Sequence, residues 1–431
     1  MKKLLLLLLV ISVSGCISQA PSERTEKYVL DNGMTLIVKE NHANMIVATK
    51  LLIKSGAWSE SNAEMGTRNF VQQMLLKGTA KRNAEDIAFE TESKGISLST
   101  GVADDYLEIT MVSTKDFFVD GMEVLADIVM NPRFPEKEVK AERLRILEGL
   151  KAQEDDQFTS TYLLFKGELY GDHPYGYNQL GTPESLFGID RDDLLRFRDE
   201  HYLPNNMVLA VVGDVTAEEV RDMIEESFKG FQPGELPVTP EFTIRGEKAS
   251  VSVEKDRAQT FIIIGYRTSP VIGENYPALK ILNSILGGGS SARLYERIRG
   301  ARGLAYAVGS FYPSRTDDSF IAAYIGTAPE NEDEVEKLML REFEELKSTQ
   351  VPQEELTIAK NRIIGDFELD HESNERQAFY LAWYEAIGMG YGYDSKYTGD
   401  LEKVTSEDVQ QVAQKYLENS VTARVGPADE T

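Results

Sequence analysis

The spacing of apolar and polar positions predicts a chain that mixes strands with helices. Residues 28–40, YVLDNGMTLIVKE, alternate on both sides of an Asn-Gly pair, which predicts two strands joined by a hairpin turn. Residues 45–57, MIVATKLLIKSGA, predict another strand. Residues 67–79, TRNFVQQMLLKGT, carry apolar side chains at helical spacing and end in Lys-Gly-Thr, which predicts a helix with a glycine stop.

The order of these patterns occurs twice along the chain. A long helical pattern begins with Pro-Glu at residue 135, and a similar one begins with Pro-Gln at residue 352. The segment ESKGISLST, residues 92–100, likewise matches GARGLAYAV, residues 300–308. We therefore predict the α+β class, with two homologous domains, each an antiparallel sheet flanked by helices, related by internal duplication.

The prolines and the glycine of FQPGELPVTPEF mark the boundary between these domains. We place the linker at residues 231–244, the N-terminal domain at residues 28–230 and the C-terminal domain at residues 245–431. The length of 431 residues supports this division, because it exceeds what one core usually supports. The formal charge of −25 argues against nucleic acid as a partner and against electrostatic attraction to anionic lipid.

The first residues carry the pattern of an export signal. Lys2 and Lys3 precede a leucine-rich run that is too short to span a membrane, and small residues follow it. The ending Val-Ser-Gly before Cys16 resembles the lipobox of bacterial lipoproteins, which implies cleavage before Cys16 and lipid attachment to its sulfur. The alternative is an ordinary signal with an incidental cysteine. We expect a signal peptide at residues 1–16 and a tether at residues 17–27.

Cys16 is the only cysteine, so no intrachain disulfide can form. We expect the protein in the periplasm of a Gram-negative bacterium, attached to the membrane through the lipid anchor only. The outer membrane is the expected address because Ile17 is not an acidic retention residue, and the inner membrane stays the alternative.

The helix at residues 67–79 carries a polar pattern with the spacing of a metal site. A zinc site on one helix requires two ligands at i and i+4, which share a face, with a general base between them. Asn69 and Gln73 have that spacing, and Gln72 occupies the place of the base. Amide nitrogens carry no available lone pair, and glutamine cannot accept a proton near neutral pH. These positions therefore predict no metal ligand and no catalytic residue; the alternative is the polar surface of an amphipathic helix.

The segment GTRNFVQQMLLKGTAKRNAEDI resembles the G-x-x-H-x-x-E-H-x-x-x-K-G-T segment of the pitrilysin/insulinase family of zinc peptidases, the inverted zincins. That family has His where this chain has Asn69 and Gln73, and Glu where it has Gln72. The resemblance implies a third ligand on the long helix downstream, where this chain has Gly149. Glu148 is one step away, which is about 100° around the helix. All four positions are degenerate, so we expect no cofactor in this chain and zinc in a partner subunit.

The histidines offer no replacement for the lost ligands. The chain has four of them, His42, His173, His201 and His371, and no two of these have the spacing i and i+4. His173 lies in the segment DHPYG, where the family also has His-Pro-x-Gly. We interpret it as a residue that shapes this loop.

The second half keeps residues that the resemblance assigns to substrate binding. Active relatives contribute an Arg and a Tyr from this half, with six residues between them, to bind substrate and the oxyanion, and Arg299 and Tyr306 have that spacing. The alternative is a solvated helix cation and a strand core residue. LGGGSSARL lacks the Gly-Lys-Ser/Thr ending of a P-loop, so we interpret Gly288 and Gly289 as a helix stop with a modest substrate role.

The resemblance extends over nearly the whole mature chain and implies a specific function. We predict a noncatalytic subunit, similar to that of the mitochondrial-processing-peptidase subfamily, which binds peptide substrates together with a zinc-bearing homologous subunit. One alternative is a peptide-binding or scaffold homodimer without peptidase activity. A second alternative is an autonomous zinc metalloendopeptidase. The sequence names neither the substrate nor the partner.

Overall fold

The structure is a computed structural model that describes residues 24–240, 242 and 247–427. The predicted signal peptide and Cys16 lie outside the described residues. The described chain forms two sheets, each flanked by helices, which confirms the predicted α+β class and its division into two units. None of the helices in these ranges combines the length and the apolar composition that a membrane crossing requires.

Within the described residues, the first half contains six strands and eight α-helices. The strands are β1 (Thr25–Val29), β2 (Thr35–Glu40), β3 (Ile46–Ile53), β4 (Ser97–Val102), β5 (Leu107–Thr114) and β6 (Met207–Gly213). The helices are α1 (Thr67–Met74), α2 (Ala84–Glu92), α3 (Phe118–Met130), α4 (Glu136–Asp155), α5 (Gln157–Tyr170), α6 (Pro183–Gly188), α7 (Arg191–His201) and α8 (Ala217–Ser227).

The second half contains five strands and six α-helices among the described residues. The strands are β7 (Ala249–Glu254), β8 (Thr260–Thr268), β9 (Ala307–Phe311), β10 (Ser319–Thr327) and β11 (Val421–Gly426). The helices are α9 (Tyr276–Gly287), α10 (Glu332–Ser348), α11 (Gln353–Asp370), α12 (Asn374–Ala386), α13 (Tyr397–Lys403) and α14 (Ser406–Tyr416).

The two sheets share one topology apart from β1, which has no counterpart in the second sheet. The first has the order β1-β2-β6-β3-β5-β4 and the second the order β7-β11-β8-β10-β9. In each sheet one pair is parallel, β2 with β6 and β7 with β11, and the other pairs are antiparallel. The parallel pair departs from the purely antiparallel sheet that we expected, because the last strand of each half returns to the sheet only after the helical layer. The repeated order is the internal duplication predicted from the sequence.

Local sequence signals account for the first strands. The predicted hairpin forms at Gly33, whose φ of 83° lies in the left-handed region that glycine favours, and the Leu30 N–H donates to the Met34 carbonyl oxygen at 2.9 Å. Strand β1 begins at Thr25, inside the segment that we predicted as a tether. The boundary of that tether is therefore corrected, since residues 25–29 pair with β2.

The two halves interlock through exchanged helices. Helix α5 leaves the first half and packs against β8 and β11 of the second sheet. Helix α12 leaves the second half and packs against β3 and β6 of the first sheet. Each sheet therefore has its own helices on one face and a helix from the other half on the opposite face. This arrangement explains why strands such as β6, whose residues are all buried, are apolar on both faces.

Candidate functional site

Helix α1, which carries the degenerate motif, is fixed at its start. Gly66 precedes it with a φ of 94°, and a Cβ there would lie 2.8 Å from the carbonyl oxygen of Leu180. The buried Arg68 guanidinium donates to the carbonyl oxygen of Ser55 at 3.0 Å. The Arg68 N–H donates to the carboxylate of Glu60 at 2.5 Å, and burial raises the pKa of Glu60 to about 7. These contacts set the position and the rotation of α1 against the first sheet.

Gln72 is fully buried and faces the β4–β5 hairpin. Its Nε2 donates to the carbonyl oxygens of Gly101 at 3.1 Å and Glu108 at 3.3 Å, which are cross-strand partners. Thr100 Oγ1 donates to the backbone carbonyl oxygen of Gln72 at 3.0 Å. At the place of the general base, this side chain therefore donates hydrogen bonds to two carbonyl oxygens. An ionised carboxylate has no proton to donate there.

The other motif positions do not form a zinc site either. Asn69 is buried, whereas Gln73 is exposed. On α4, Gly149 is half-buried and supplies no side chain, and Glu148 is exposed. Zinc in proteins is bound by thiolate, imidazole and carboxylate groups, and these positions offer none of them toward a common point. The side chains present at the motif do not fit zinc.

No replacement site is found in the described ranges. Within residues 24–240, 242 and 247–427, no group of three or more His, Cys, Asp and Glu side chains is placed to hold a metal ion. His173 instead organises its loop, because its Nδ1 accepts from the Tyr175 N–H at 3.1 Å. Its Nε2 lies 3.2 Å from the Asp317 carboxylate of the second half, and burial lowers the pKa of His173.

Arg299 and Tyr306 both face solvent. Arg299 lies in a π-helical segment, Tyr295–Gly300, with its guanidinium 5.2 Å from the centre of the Tyr295 ring. Tyr306 stands directly before β9 and is 59% exposed. That exposure argues against the reading of Tyr306 as a strand core residue. The exposure of Arg299 fits a solvated cation as well as a substrate ligand.

The glycine segment lies at the junction of the two halves. Gly288 follows α9 and lines a cavity of about 620 Å³ between the halves. A Cβ on Gly289 would lie 1.8 Å from Nη1 of Arg362, so this glycine packs against a guanidinium. Of the predicted site residues in the described chain, Gly288 is the one that lines this cavity. The structure therefore does not join the degenerate motif, Arg299 and Tyr306 into one pocket.

Comparisons with known proteins show the family to which this chain belongs. Residues 35–181 match the family model "Insulinase (Peptidase family M16)", and residues 188–363 match the model "Peptidase M16 inactive domain". A Rickettsia bellii protein described as an uncharacterized zinc protease is 30% identical over 409 residues, which cover 92% of this chain and 96% of that protein. The chain belongs to the insulinase family of peptidases, family M16. The family resemblance drawn from the helix motif is thereby confirmed.

Solved structures share the fold of this chain. A protease from Helicobacter pylori has a TM-score of 0.89 at 21% identity, over 94% of this chain and all of that one. A Pseudomonas fluorescens structure described as a peptidase M16 inactive domain has a TM-score of 0.88 at 23% identity, over 94% of this chain and 98% of that one. At these identities the likeness concerns the fold alone.

This insulinase-family chain also has a buried charge cluster that the sequence reasoning missed. The Arg315 guanidinium donates to the Asp104 carboxylate, and the Lys166 ammonium lies 3.6 Å from the same carboxylate. Burial acts to raise the pKa of Asp104, but the attraction of Arg315 and Lys166 outweighs it and holds that pKa well below its usual range. Burial lowers the pKa of Lys166 to about 8. Nothing in the local sequence marks these residues, because they meet only in the folded chain.

Proposed function

We propose that this chain is a noncatalytic subunit of a two-subunit zinc peptidase, in which a homologous subunit carries the metal. The observation that carries the proposal is the role of Gln72. Its amide occupies the place of the family's general base and donates to the carbonyl oxygens of Gly101 and Glu108. A group in this position that accepts no proton cannot activate water.

Arg299 and Tyr306 are the contribution of this chain to substrate binding in the proposed complex. Both side chains are exposed, and among the described residues Arg299 has a ring contact with Tyr295 but no ion pair. A guanidinium and a phenol donate hydrogen bonds to substrate carbonyl oxygens and to developing negative charge, and such donors contribute a few kcal/mol when they are held in place. Because both face outward, a second subunit can approach them without unfolding this one.

Peptide is the substrate class that the sheet edges favour. Strand β4 pairs with β5, and no strand of the described ranges pairs with its other edge. Strand β9 lies at the corresponding edge of the second sheet. An open edge carries unpaired backbone donors and acceptors to which an extended peptide adds as a further strand. Binding of this kind uses the backbone hydrogen bonds of the peptide, so peptides of many different sequences can bind.

The test is co-expression with a homologue from the same organism that carries an intact H-x-x-E-H motif. We expect the two chains to elute together from a size-exclusion column and the complex to cleave a fluorogenic peptide. Arg299→Ala combined with Tyr306→Phe is expected to leave the complex intact and to lower kcat/KM by a factor of about 100. Arg302→Ala is the control, because Arg302 is exposed nearby and pairs with Glu334 at 2.8 Å.

Three results would contradict the proposal. The first is the absence of a complex, and the second is a complex whose activity the double substitution leaves unchanged. The third is chelator-sensitive hydrolysis by the purified chain alone, together with stoichiometric zinc by elemental analysis, which would support an autonomous peptidase. A stable homodimer that is inactive in every mixture would support a scaffold role instead.

We also propose that the subunit is anchored to the periplasmic side of the outer membrane. The support is the signal-like run of residues 1–16 with its cysteine at the lipobox position. A lipid anchor would leave both domains in the periplasm, where they could meet exported or degraded peptides. The partner subunit would then be exported as well.

A further inference from the structure

The cavity between the halves is built on the second-half counterpart of the degenerate helix. Helices α1 and α9 follow corresponding strands, β3 and β8, and each packs against the long helix of its own half, α4 or α11. Their buried apolar positions have the same spacing: Phe70, Val71 and Met74 in α1 with Leu75 directly after it, and Ile281, Leu282, Ile285 and Leu286 in α9. This match aligns the two helices residue by residue.

The alignment assigns a counterpart to each motif position. Asn69, Gln72 and Gln73 correspond to Lys280, Asn283 and Ser284. On the long helices α4 and α11, aligning Pro135 with Pro352 makes Asp366 the counterpart of Gly149. The four counterparts all line the cavity of about 620 Å³. The second half therefore places polar side chains around a cavity where the first half has its degenerate motif.

Three of these side chains have polar groups without partners. Ser284 is buried and its Oγ has no hydrogen-bond partner in the described structure, and the same is true of Asn283 Oδ1. The Lys280 ammonium lies 5.9 Å and 6.0 Å from the ring centres of Tyr276 and Tyr312, and none of the described carboxylates pairs with it. Polar groups left unpaired in this way are costly, so a ligand that satisfies them is stabilised.

The remaining charges of the cavity already have partners. Arg315 pairs with Asp104, and the Arg362 guanidinium lies 3.7 Å from Asp366. Asp370 accepts from Arg376 at 2.6 Å. Asp105 accepts from the N–H of Thr316 at 3.1 Å and from its hydroxyl at 2.6 Å. Lys280 is thus the charged group of the described lining that has neither an ion pair nor a hydrogen bond.

Aromatic rings form much of the wall around these groups. They include Tyr276, Phe379, Tyr380, Trp383, Tyr384 and Tyr397. The volume lies within the range of small-molecule sites, which combine apolar walls with a few placed polar groups. Aromatic walls favour a planar ring on the ligand, which packs edge to face against them.

We propose that this cavity binds a ligand in which a carboxylate stands beside an aromatic side chain. The carboxylate pairs with the Lys280 ammonium and accepts from the Ser284 hydroxyl, and the ring packs among the aromatic walls. A free aromatic amino acid and the C-terminus of a peptide share this chemistry. The proposal is independent of the partner subunit, because every group in it belongs to this chain.

The test is isothermal titration of the purified full chain with three probes: a tripeptide that ends in phenylalanine, the same tripeptide as its C-terminal amide, and free phenylalanine. We expect the tripeptide acid to bind at least tenfold more tightly than its amide. If free phenylalanine binds as tightly as the tripeptide acid, the ligand is a free aromatic amino acid. If it binds more weakly, the ligand is the C-terminus of a peptide.

Substitutions assign the binding to the cavity. Lys280→Gln is expected to weaken binding of the tripeptide acid by about tenfold and Ser284→Ala by a smaller factor, while Lys280→Arg keeps the preference for the acid. Lys337→Gln removes an exposed charge from α10 and is the control, with unchanged affinity expected. The proposal is overturned if acid and amide bind equally, if Lys280→Gln behaves as the control does, or if no probe binds at millimolar concentration.

Discussion

Arg315 of the second half donates a hydrogen bond to the carboxylate of Asp104 in the first half. The two residues lie in the β4–β5 and β9–β10 loops, which are corresponding loops of the duplicated unit. Arg315 is 2% exposed and its guanidinium lies 4.7 Å from the ring centre of Tyr175, which belongs to the first half. The pair therefore links the two halves at the wall of the cavity between them, which both residues line.

Asp104→Asn is expected to destabilise the chain by about 3–5 kcal/mol, because it leaves the buried Arg315 and Lys166 without their carboxylate. Denaturant unfolding followed by circular dichroism measures the loss. Asp256→Asn is the matched control, since Asp256 is exposed and the same substitution there is expected to change the free energy of unfolding by less than about 0.5 kcal/mol. Equal effects of the two substitutions would show that the buried pair contributes nothing.

Gln72→Glu restores the family's residue at the place of the base, yet it is expected to destabilise this chain by about 3 kcal/mol at pH 8. The carboxylate would face the carbonyl oxygens of Gly101 and Glu108 without a proton to donate. The new carboxyl would have a raised pKa in the folded state, so the destabilisation is expected to shrink as the pH falls toward 5.

Gln73→Glu is the control for this substitution. It makes the same chemical change at the next position, where the side chain is exposed, and is expected to alter the free energy of unfolding by less than about 0.5 kcal/mol. If Gln72→Glu were as well tolerated as Gln73→Glu, the amide of Gln72 would have no structural role and its hydrogen bonds would contribute nothing to stability.

Much of the fold could be predicted from the sequence because its signals are local. Alternation, helical spacing and Asn-Gly or Lys-Gly-Thr stops lie within a few residues of each other, and the repeated order of elements supplied the duplication. The parallel pair in each sheet was not predictable in this way. It depends on where β6 and β11 return after the helical layer, which no local pattern encodes.

The candidate site was harder to predict because its geometry depends on distant residues. Spacing placed Gln72 and Gln73 on adjoining helix faces, but only the β4–β5 hairpin decides that Gln72 is buried and Gln73 exposed. Lys280 and Ser284 look like the polar face of an amphipathic helix. The sequence did contain a signal for these two residues, because the alignment of the two halves places Lys280 and Ser284 at the positions that correspond to Asn69 and Gln73.

Cys16→Ser is expected to release the protein from the membrane fraction, because the sulfur at that position is the expected site of lipid attachment. Labelled palmitate is expected to enter the wild-type chain and to be absent from the variant. Ser18→Ala, two positions further along, is the control and is expected to keep the label. Label retained by Cys16→Ser would contradict the proposed lipid attachment.

His201 is expected to make the stability of the first half depend on pH. The imidazole is buried with its ring centre 4.3 Å from that of Phe197 and 5.9 Å from that of Trp58. Burial, helped by repulsion from Arg68, lowers the pKa of His201 to about 4. In the unfolded chain the imidazole of His201 is protonated as the pH falls below about 6.5, whereas in the folded chain it stays neutral until about pH 4.

The contribution of His201 to stability is accordingly complete above pH 6.5 and is lost as the pH falls toward 4, by about 3 kcal/mol in total. Urea unfolding at a series of pH values measures this loss, and His201→Phe is expected to flatten the curve between pH 4 and 6.5 by about that amount. His42→Gln is the control, because His42 is exposed beside Asp214 and its removal should leave most of the slope. A slope that survives in His201→Phe would assign the pH dependence to other groups.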